Sequence, residues 1–309
     1  MQYLEAENII KSLPQGKTLF YYFKDRYALM LLSYFVKAGK RKHEIQTSAF
    51  SKLLTKPNVK QAMSNAGGKI LSEDIFDSQW PLQSECYRLT LGTWGSGYQY
   101  YDQMSRQGKN LVLQLNFSSK HNRPYQRLIR PDDFHPFEYE DHPISDGGHH
   151  TLAWSRIDLD LNTGEALIEE IQNDWIRFAL RSKAAADHKS DSIYFRGSLL
   201  RVNQVREYVD QVLLPHIKLW DEAMLAATIW FLREELGIKK IFYHTYESGA
   251  TLKKIAGTLP PRSLYTALPK KFCFRETHEQ PTFLNPSVRN KKRRQLLSNA
   301  RFQLLSWQS

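Results

Sequence analysis

Residues 153–175 read AWSRIDLDLNTGEALIEEIQNDW, and the patterning of this stretch sets the fold class. Ala153, Ser155, Ile157, Leu159 and Leu161 fall on one face of an extended chain, while Trp154, Arg156, Asp158 and Asp160 fall on the other. A period of two residues marks a strand. Asn162-Thr163-Gly164-Glu165 has turn chemistry, and residues 166–171 are extended again. Two antiparallel strands joined by a tight turn are therefore expected.

Upstream, residues 19–36 read as a buried helix in two parts, interrupted by Lys24, Asp25 and Arg26 and too charged to span a bilayer. Leu31, Leu32, Tyr34 and Phe35 recur at helical spacing, and Gly39 supplies a stop. Short helices flank Pro57, and Gly67-Gly68 ends the second. Trp80-Pro81 marks a boundary, so residues 1–80 are expected to form a helical N-terminal subdomain. Residues 87–91 look extended before Gly92, Gly95 and Gly97 break them into turns, and residues 111–116 alternate as a strand. Residues 132–148 read as a loop.

Downstream, residues 204–236 follow a helical pattern, interrupted at Pro215, with Ile217, Trp220, Met224, Ala227 and Phe231 as its apolar stripe. Gly237 is placed to cap that helix, and residues 238–243 form a strand leaving it. The expected class is α+β: a mixed, largely antiparallel central sheet packed by helices. The main domain would span residues 81–285, and a basic segment, 286–309, would dock on it through a terminal helix carrying Leu296, Leu297, Phe302, Leu304, Leu305 and Trp307.

With 309 residues, 41% hydrophobic and 13% aromatic, the chain can bury a sizeable core and is not a disordered one. Its two cysteines, Cys86 and Cys273, are far apart and out of metal-ligand spacing, which fits a reducing, cytoplasmic setting. Residues 1–13 lack the order of a signal peptide, and no membrane association is expected. A formal charge of +11 points toward anionic partners. The charge is densest at Arg289, Lys291, Lys292, Arg293 and Arg294, which form either a phosphate-contacting nucleic-acid patch or a solvated helix face. P-loop, GxGxxG and GxSxG signatures are absent, which argues against NTPase, dinucleotide and α/β-hydrolase functions.

Two segments concentrate chemistry. In the first, Glu169 and Glu170 are followed by Gln172, Asp174 and Trp175. Alternation sends the two acids to opposite faces, so one of them must enter core or cleft, where it needs a partner or a raised pKa. Arg156 on the neighbouring strand is the expected partner, and Asp174 could equally cap the next helix. The second segment, His244, Tyr246 and Glu247, follows a strand and offers a base, a proton donor and an orienting carboxylate. A purely structural role, with the acids as register-fixing staples, competes in both cases. His135, His142, His149 and His150 lie in an acid-rich loop, but without HExxH or a cysteine pair no metal site is expected.

The stretch from His149 to Trp175, closing on IEEIQNDW, resembles domains of large polyvalent proteins of phages and mobile elements, whose corresponding words read close to EEIQSDW. Arg156, Glu169, Glu170, Gln172, Asp174 and Trp175 match, and Asn173 stands where Ser is usual. The order of strand, helix, strand and tyrosine-bearing helix also resembles acyltransferases of the GNAT type. That resemblance implies an acetyl-CoA or other acyl-CoA donor, Glu169 or Glu170 as base, and Tyr265 as proton donor. It departs where that family places a glycine-containing pyrophosphate loop, because residues 172–177 hold no glycine. The sequence does not identify a reaction, and three classes remain open. They are an acyltransferase-like enzyme, a nucleic-acid-associated protein of phage or mobile-element origin, and a non-catalytic interaction protein.

Overall fold

The hairpin read from residues 153–175 is present, as β4 (Thr151–Asp160) and β5 (Glu165–Gln172), and it occupies the middle of an eight-stranded sheet. The computed structural model describes residues 1, 3–12, 18–67, 70–96, 98, 102–129, 134–145, 148–255, 260–284 and 291–307. Gly68, Gly97, Asp132, Asp133, Asp146 and Arg289 lie outside the described residues.

The chain begins with α1 (Tyr3–Ser12), β1 (Thr18–Tyr22), α2 (Arg26–Val36), α3 (Lys42–Gln46), α4 (Pro57–Asn65) and α5 (Glu73–Asp77). Then come β2 (Glu85–Trp94), β3 (Asn110–Phe117), α6 (Asn122–Ile129) and the β4–β5 hairpin. Next are α7 (Trp175–Ala186), the small hairpin β6 (Ser192–Phe195) and β7 (Ser198–Arg201), α8 (Val202–Glu207) and α9 (Leu214–Trp230). The last elements are β8 (Lys240–His244), α10 (Tyr246–Leu252), α11 (Ala267–Lys271), β9 (Arg275–Thr277), α12 (Lys291–Asn299) and β10 (Phe302–Ser306).

The strand order is β1-β2-β3-β4-β5-β8-β10-β9. Every pair in it is antiparallel except β5–β8, so the fold is α+β with a mostly antiparallel mixed sheet. Helix α9 lies across β3, β4 and β5, and wider π turns at Tyr208–Val212 and Phe231–Glu235 flank it. The first of these precedes Pro215, which has no N–H to continue the regular ladder. All eight residues of β3 are buried. On β4 both alternating faces are buried, so the polar face of the hairpin forms a second, charged core.

Three expectations are corrected. Residues 18–22 form a strand rather than the first part of a helix: Phe20 and Tyr22 are buried while Leu19 and Tyr21 are exposed, a period of two. Strand β2 continues through Gly92 to Trp94, held by pairing with β3 across its whole length. Residues 302–306 are not a terminal helix; β10 inserts between β8 and β9 and pairs with both. The basic segment 291–299 is helical, with Leu297 buried and Lys291 and Arg294 exposed. Cys86 and Cys273 are free thiols, and no helix among the described residues is long and apolar enough to cross a membrane.

Gly237 ends the long helical run as expected. Its φ is 65°, and the Ile238 N–H donates to the Leu232 carbonyl at 2.8 Å, closing the last turn. Among the described residues no other group comes within 4 Å of where a Cβ would stand, so backbone strain is what opposes a side chain there. Gly237→Ala should lower the unfolding free energy by about 1–2 kcal/mol in denaturant titrations; an unchanged midpoint would contradict this reading of the cap.

Candidate active site

The site starts from an irregularity in the ladder. Arg156 faces Glu170 and Ile157 faces Ile168, so Glu169 has no counterpart on β4 and forms a bulge. On its other side, β5 pairs in parallel with β8 from Glu165/Lys240 to Ile168/Tyr243, and the pairing stops there. The bulge and the end of the parallel ladder thus coincide. This end of the pairing, the split between β5 and β8, falls one residue before β8 itself ends, and the backbone groups of β5 beyond it need other partners. The Lys253 ammonium, from the end of α10, takes the Glu169 carbonyl at 2.9 Å.

The bulge also defeats simple alternation, because both acids enter one buried network. Glu170 forms an ion pair with Arg156, the expected cross-strand partner, and its carboxylate lies 3.6 Å from Lys253. Arg156 further donates to the carbonyls of Asp102 and Gln103, at 2.7 and 3.2 Å. Glu169 accepts the Ser105 N–H at 3.0 Å, the Ser105 hydroxyl at 2.7 Å, and His244 Nε2–H at 3.1 Å. Residues 102–106 therefore close over the split, and Arg106 pins them through a double contact with Asp158 at 2.6 and 2.8 Å.

Arg156, Lys253, Glu169 and Glu170 are all buried, and their formal charges cancel if His244 is neutral. Burial lowers the His244 pKa, and Lys253 and Arg156 nearby push the same way against the pull of Glu169; the imidazole is neutral. A carboxylate facing Nε2 requires the proton there, so Nδ1 accepts from the Ser248 hydroxyl at 2.9 Å. Ser248 is held in place by a reciprocal cap with Thr245 at the start of α10. Burial pushes Glu169 upward, but the His244 hydrogen bond, Lys253 and Ser105 outweigh it and hold the carboxyl at about 2. Glu170 is likewise lowered against its burial, by Lys253 and Arg156.

Tyr265 is buried beside this network, with the Lys253 ammonium 5.9 Å from its ring centre and the Tyr243 ring stacked at 5.6 Å. The hydroxyls of Tyr265 and Tyr243 have no hydrogen-bond partner among the described residues. Burial, with Glu170 nearby, raises the Tyr265 pKa well above its ordinary value, so the phenol stays protonated.

The other sequence candidates lie elsewhere. Tyr246 is half-buried, its ring 6.2 Å from that of Tyr265 and covered by Arg262, outside the charged network. Glu247 is 71% exposed and pairs with Arg262. Gln172 and Asp174 meet at His142, with the Asp174 carboxylate 2.6 Å from Nδ1. Asp174 occupies the N-cap position of α7 without capping it; Asn173 accepts the Ile176 N–H at 2.7 Å instead. Trp175 lies apart from the charged network. It sits among Phe117, Tyr125, Phe137 and His150 and donates to the Tyr208 hydroxyl at 2.7 Å.

Sequence reasoning missed Ser105, Lys253 and Ser248. The first comes from a stretch without periodicity, the second closes a short helix that showed no apolar stripe, and only the third stood near a named candidate. Ser105 Oγ lies 2.8 Å from His244 Nε2, but the array is not a nucleophile triad. Both Ser105 and Nε2 turn their protons to Glu169, and the base has no free lone pair for the serine. Comparisons of the chain with family models, curated proteins and solved structures gave no match.

Removing one member of the quartet leaves a buried charge unpaired, so Lys253→Met and Arg156→Met should each cost about 3–5 kcal/mol of stability. A loss below about 1 kcal/mol for both would show that these charges are solvated rather than paired. A pH test isolates Glu169. Its folded value near 2 lies below the ordinary 4.5, so its contribution is complete above 4.5 and is lost as pH falls toward 2. Between about pH 6 and pH 3, the unfolding free energy of the native protein should fall more steeply than that of Glu169→Gln; parallel curves would contradict the assignment.

Proposed function

We propose that this protein transfers an acyl group from a thioester donor to an amine at the split between β5 and β8, with Tyr265 as proton donor. The observation that carries the reading is the Tyr265 hydroxyl, buried and unpartnered among the described residues, next to the charged network where parallel pairing ends. A buried hydroxyl left without a partner is costly, and a ligand atom at the split would satisfy it. The GNAT-type resemblance supports the same residue in the same role.

In the proposed step the acceptor nitrogen attacks the thioester carbonyl, the C–N bond forms and the C–S bond breaks. The departing thiolate takes its proton from Tyr265, and the phenolate recovers the proton that the newly acylated nitrogen gives up, directly or through water. Glu169, held near 2 and fully hydrogen-bonded, is too weak a base to take that proton, so it acts with His244 to position the split. Substrate reaches Tyr265 when residues 102–106 lift from Glu169 and Arg156.

Recognition of the donor rests on its thioester arm. At the first turn of α7, Asn173 takes the Ile176 N–H and the Asp174 carboxylate stands alongside, so a pyrophosphate would meet a negative charge there. Acetyl-CoA and acetyl-pantetheine should therefore bind with similar affinity, measured by calorimetry. Thiol release with an amine panel should fall about 10²–10⁴-fold in Tyr265→Phe. Failure of both thioesters to bind, or unchanged release by the variant, would contradict the proposal.

The exposed Lys291 and Arg294 of α12, outward of the buried Leu297, support a second reading, contact with nucleic-acid phosphates. The phage and mobile-element resemblance is consistent with it. Changing both residues to Ser should reduce the salt slope of RNA or DNA binding by about two units; equal slopes would remove the helix from that role.

A further inference from the structure

We propose that His135, Glu138 and His150 form a binding site for a divalent transition-metal ion, zinc first among them. It lies outside the network at the split and does not depend on the acyl-transfer reading. One ligand atom from each of the three side chains can be chosen so that all lie within 4.8 Å of one another. Donors that share one ion at bond lengths of about 2.0–2.2 Å stand at most about 4.4 Å apart, so small side-chain rotations would close the set on an ion.

The backbone builds the set from two directions. The Glu138 N–H donates to the His135 carbonyl at 3.1 Å, a turn that brings those side chains together. His150 is fixed just before β4, where its carbonyl accepts the Phe117 N–H at 2.9 Å. A loop and the start of a central strand thus converge, although 15 positions separate the first ligand from the last. His150 Nδ1 lies 2.9 Å from a Glu138 carboxylate oxygen, and the rings of His135 and His150 are 4.6 Å apart.

A hydrogen bond between His150 and Glu138 would account for two members of the set, but not for the third. His135 has its own outer partner: the Tyr125 hydroxyl lies 3.3 Å from Nδ1, which orients the ring and turns Nε2 away for a ligand. Such an outer contact is the usual companion of a ligating imidazole. Tyr125 and Trp175 wall one side, each with its ring 4.8–4.9 Å from that of His150. The three ligands are half-buried, which leaves access from solvent.

Two imidazoles and one carboxylate are borderline donors suited to zinc, cobalt or iron(II) rather than to calcium or magnesium. Three protein ligands leave a fourth position for water or a small anion, the pattern of an open rather than a structural site.

The test is calorimetric titration of chelator-treated protein with Zn²⁺, together with the visible spectrum of the Co²⁺ form. A single equivalent should bind, and Co²⁺ should show the intense bands of a low-coordinate ion. His135→Ala should weaken zinc binding about 100-fold or more, and Tyr125→Phe by about 10–100-fold. His188→Ala, an exposed histidine, should change nothing. Equal zinc binding by the native protein and His135→Ala would overturn the site. If that variant does not fold, the native protein decides alone: a Co²⁺ spectrum no different from the hydrated ion would overturn it equally.

Discussion

Four buried charges at one bulge hold the centre of this fold together. Arg156, Lys253, Glu169 and Glu170 come from β4, α10 and β5, and each is removed from water. Taking such ions out of water costs several kcal/mol apiece, and only mutual pairing with further hydrogen bonds offsets it. That requirement dictates the surroundings. Lys253 must return to the Glu169 carbonyl, residues 102–106 must cross the split to give Ser105 to Glu169, and His244 must stay neutral. An apolar core of the same volume could be at least as stable. Retaining charge there makes more sense if the split serves a ligand than if it serves stability alone.

The hairpin was legible because period-two patterning is local and strong in residues 153–161. A pair between Arg156 and one of the two acids followed from it; the register set by the turn points to Glu169, and the bulge shifts the partner to Glu170. The helix closing at Gly237 and the strand after it were legible for similar reasons. What escaped is non-local. Nothing in residues 302–306 says that they insert between β8 and β9, because a short apolar run fits helix or strand until its partners are known. Residues 18–22 were absorbed into a neighbouring helix by the same ambiguity.

The site was legible in part, and the shortfall has one cause. Alternation placed Glu169 and Glu170 on opposite faces, and a single bulged residue brought both into one network. Bulges leave no mark in composition. Trp175 was grouped with Glu169 and Glu170, and Glu247 with His244, because each is near its group in sequence, yet a strand end and a helix start send neighbours in different directions. Trp175 joined the aromatic cluster and Glu247 went to solvent. Conversely, His135 and His150 were set aside for lack of a contiguous motif, and the fold brings them together.

The central claim is that the split between β5 and β8 receives an acyl thioester at Tyr265. A crystal structure of the protein with a non-hydrolysable acetyl-CoA analogue tests it most directly. The expected result places the carbonyl or sulfur position within hydrogen-bond distance of the Tyr265 hydroxyl, with residues 102–106 displaced from Glu169. A structure with the analogue bound elsewhere, and Ser105 still closed on Glu169, would contradict it.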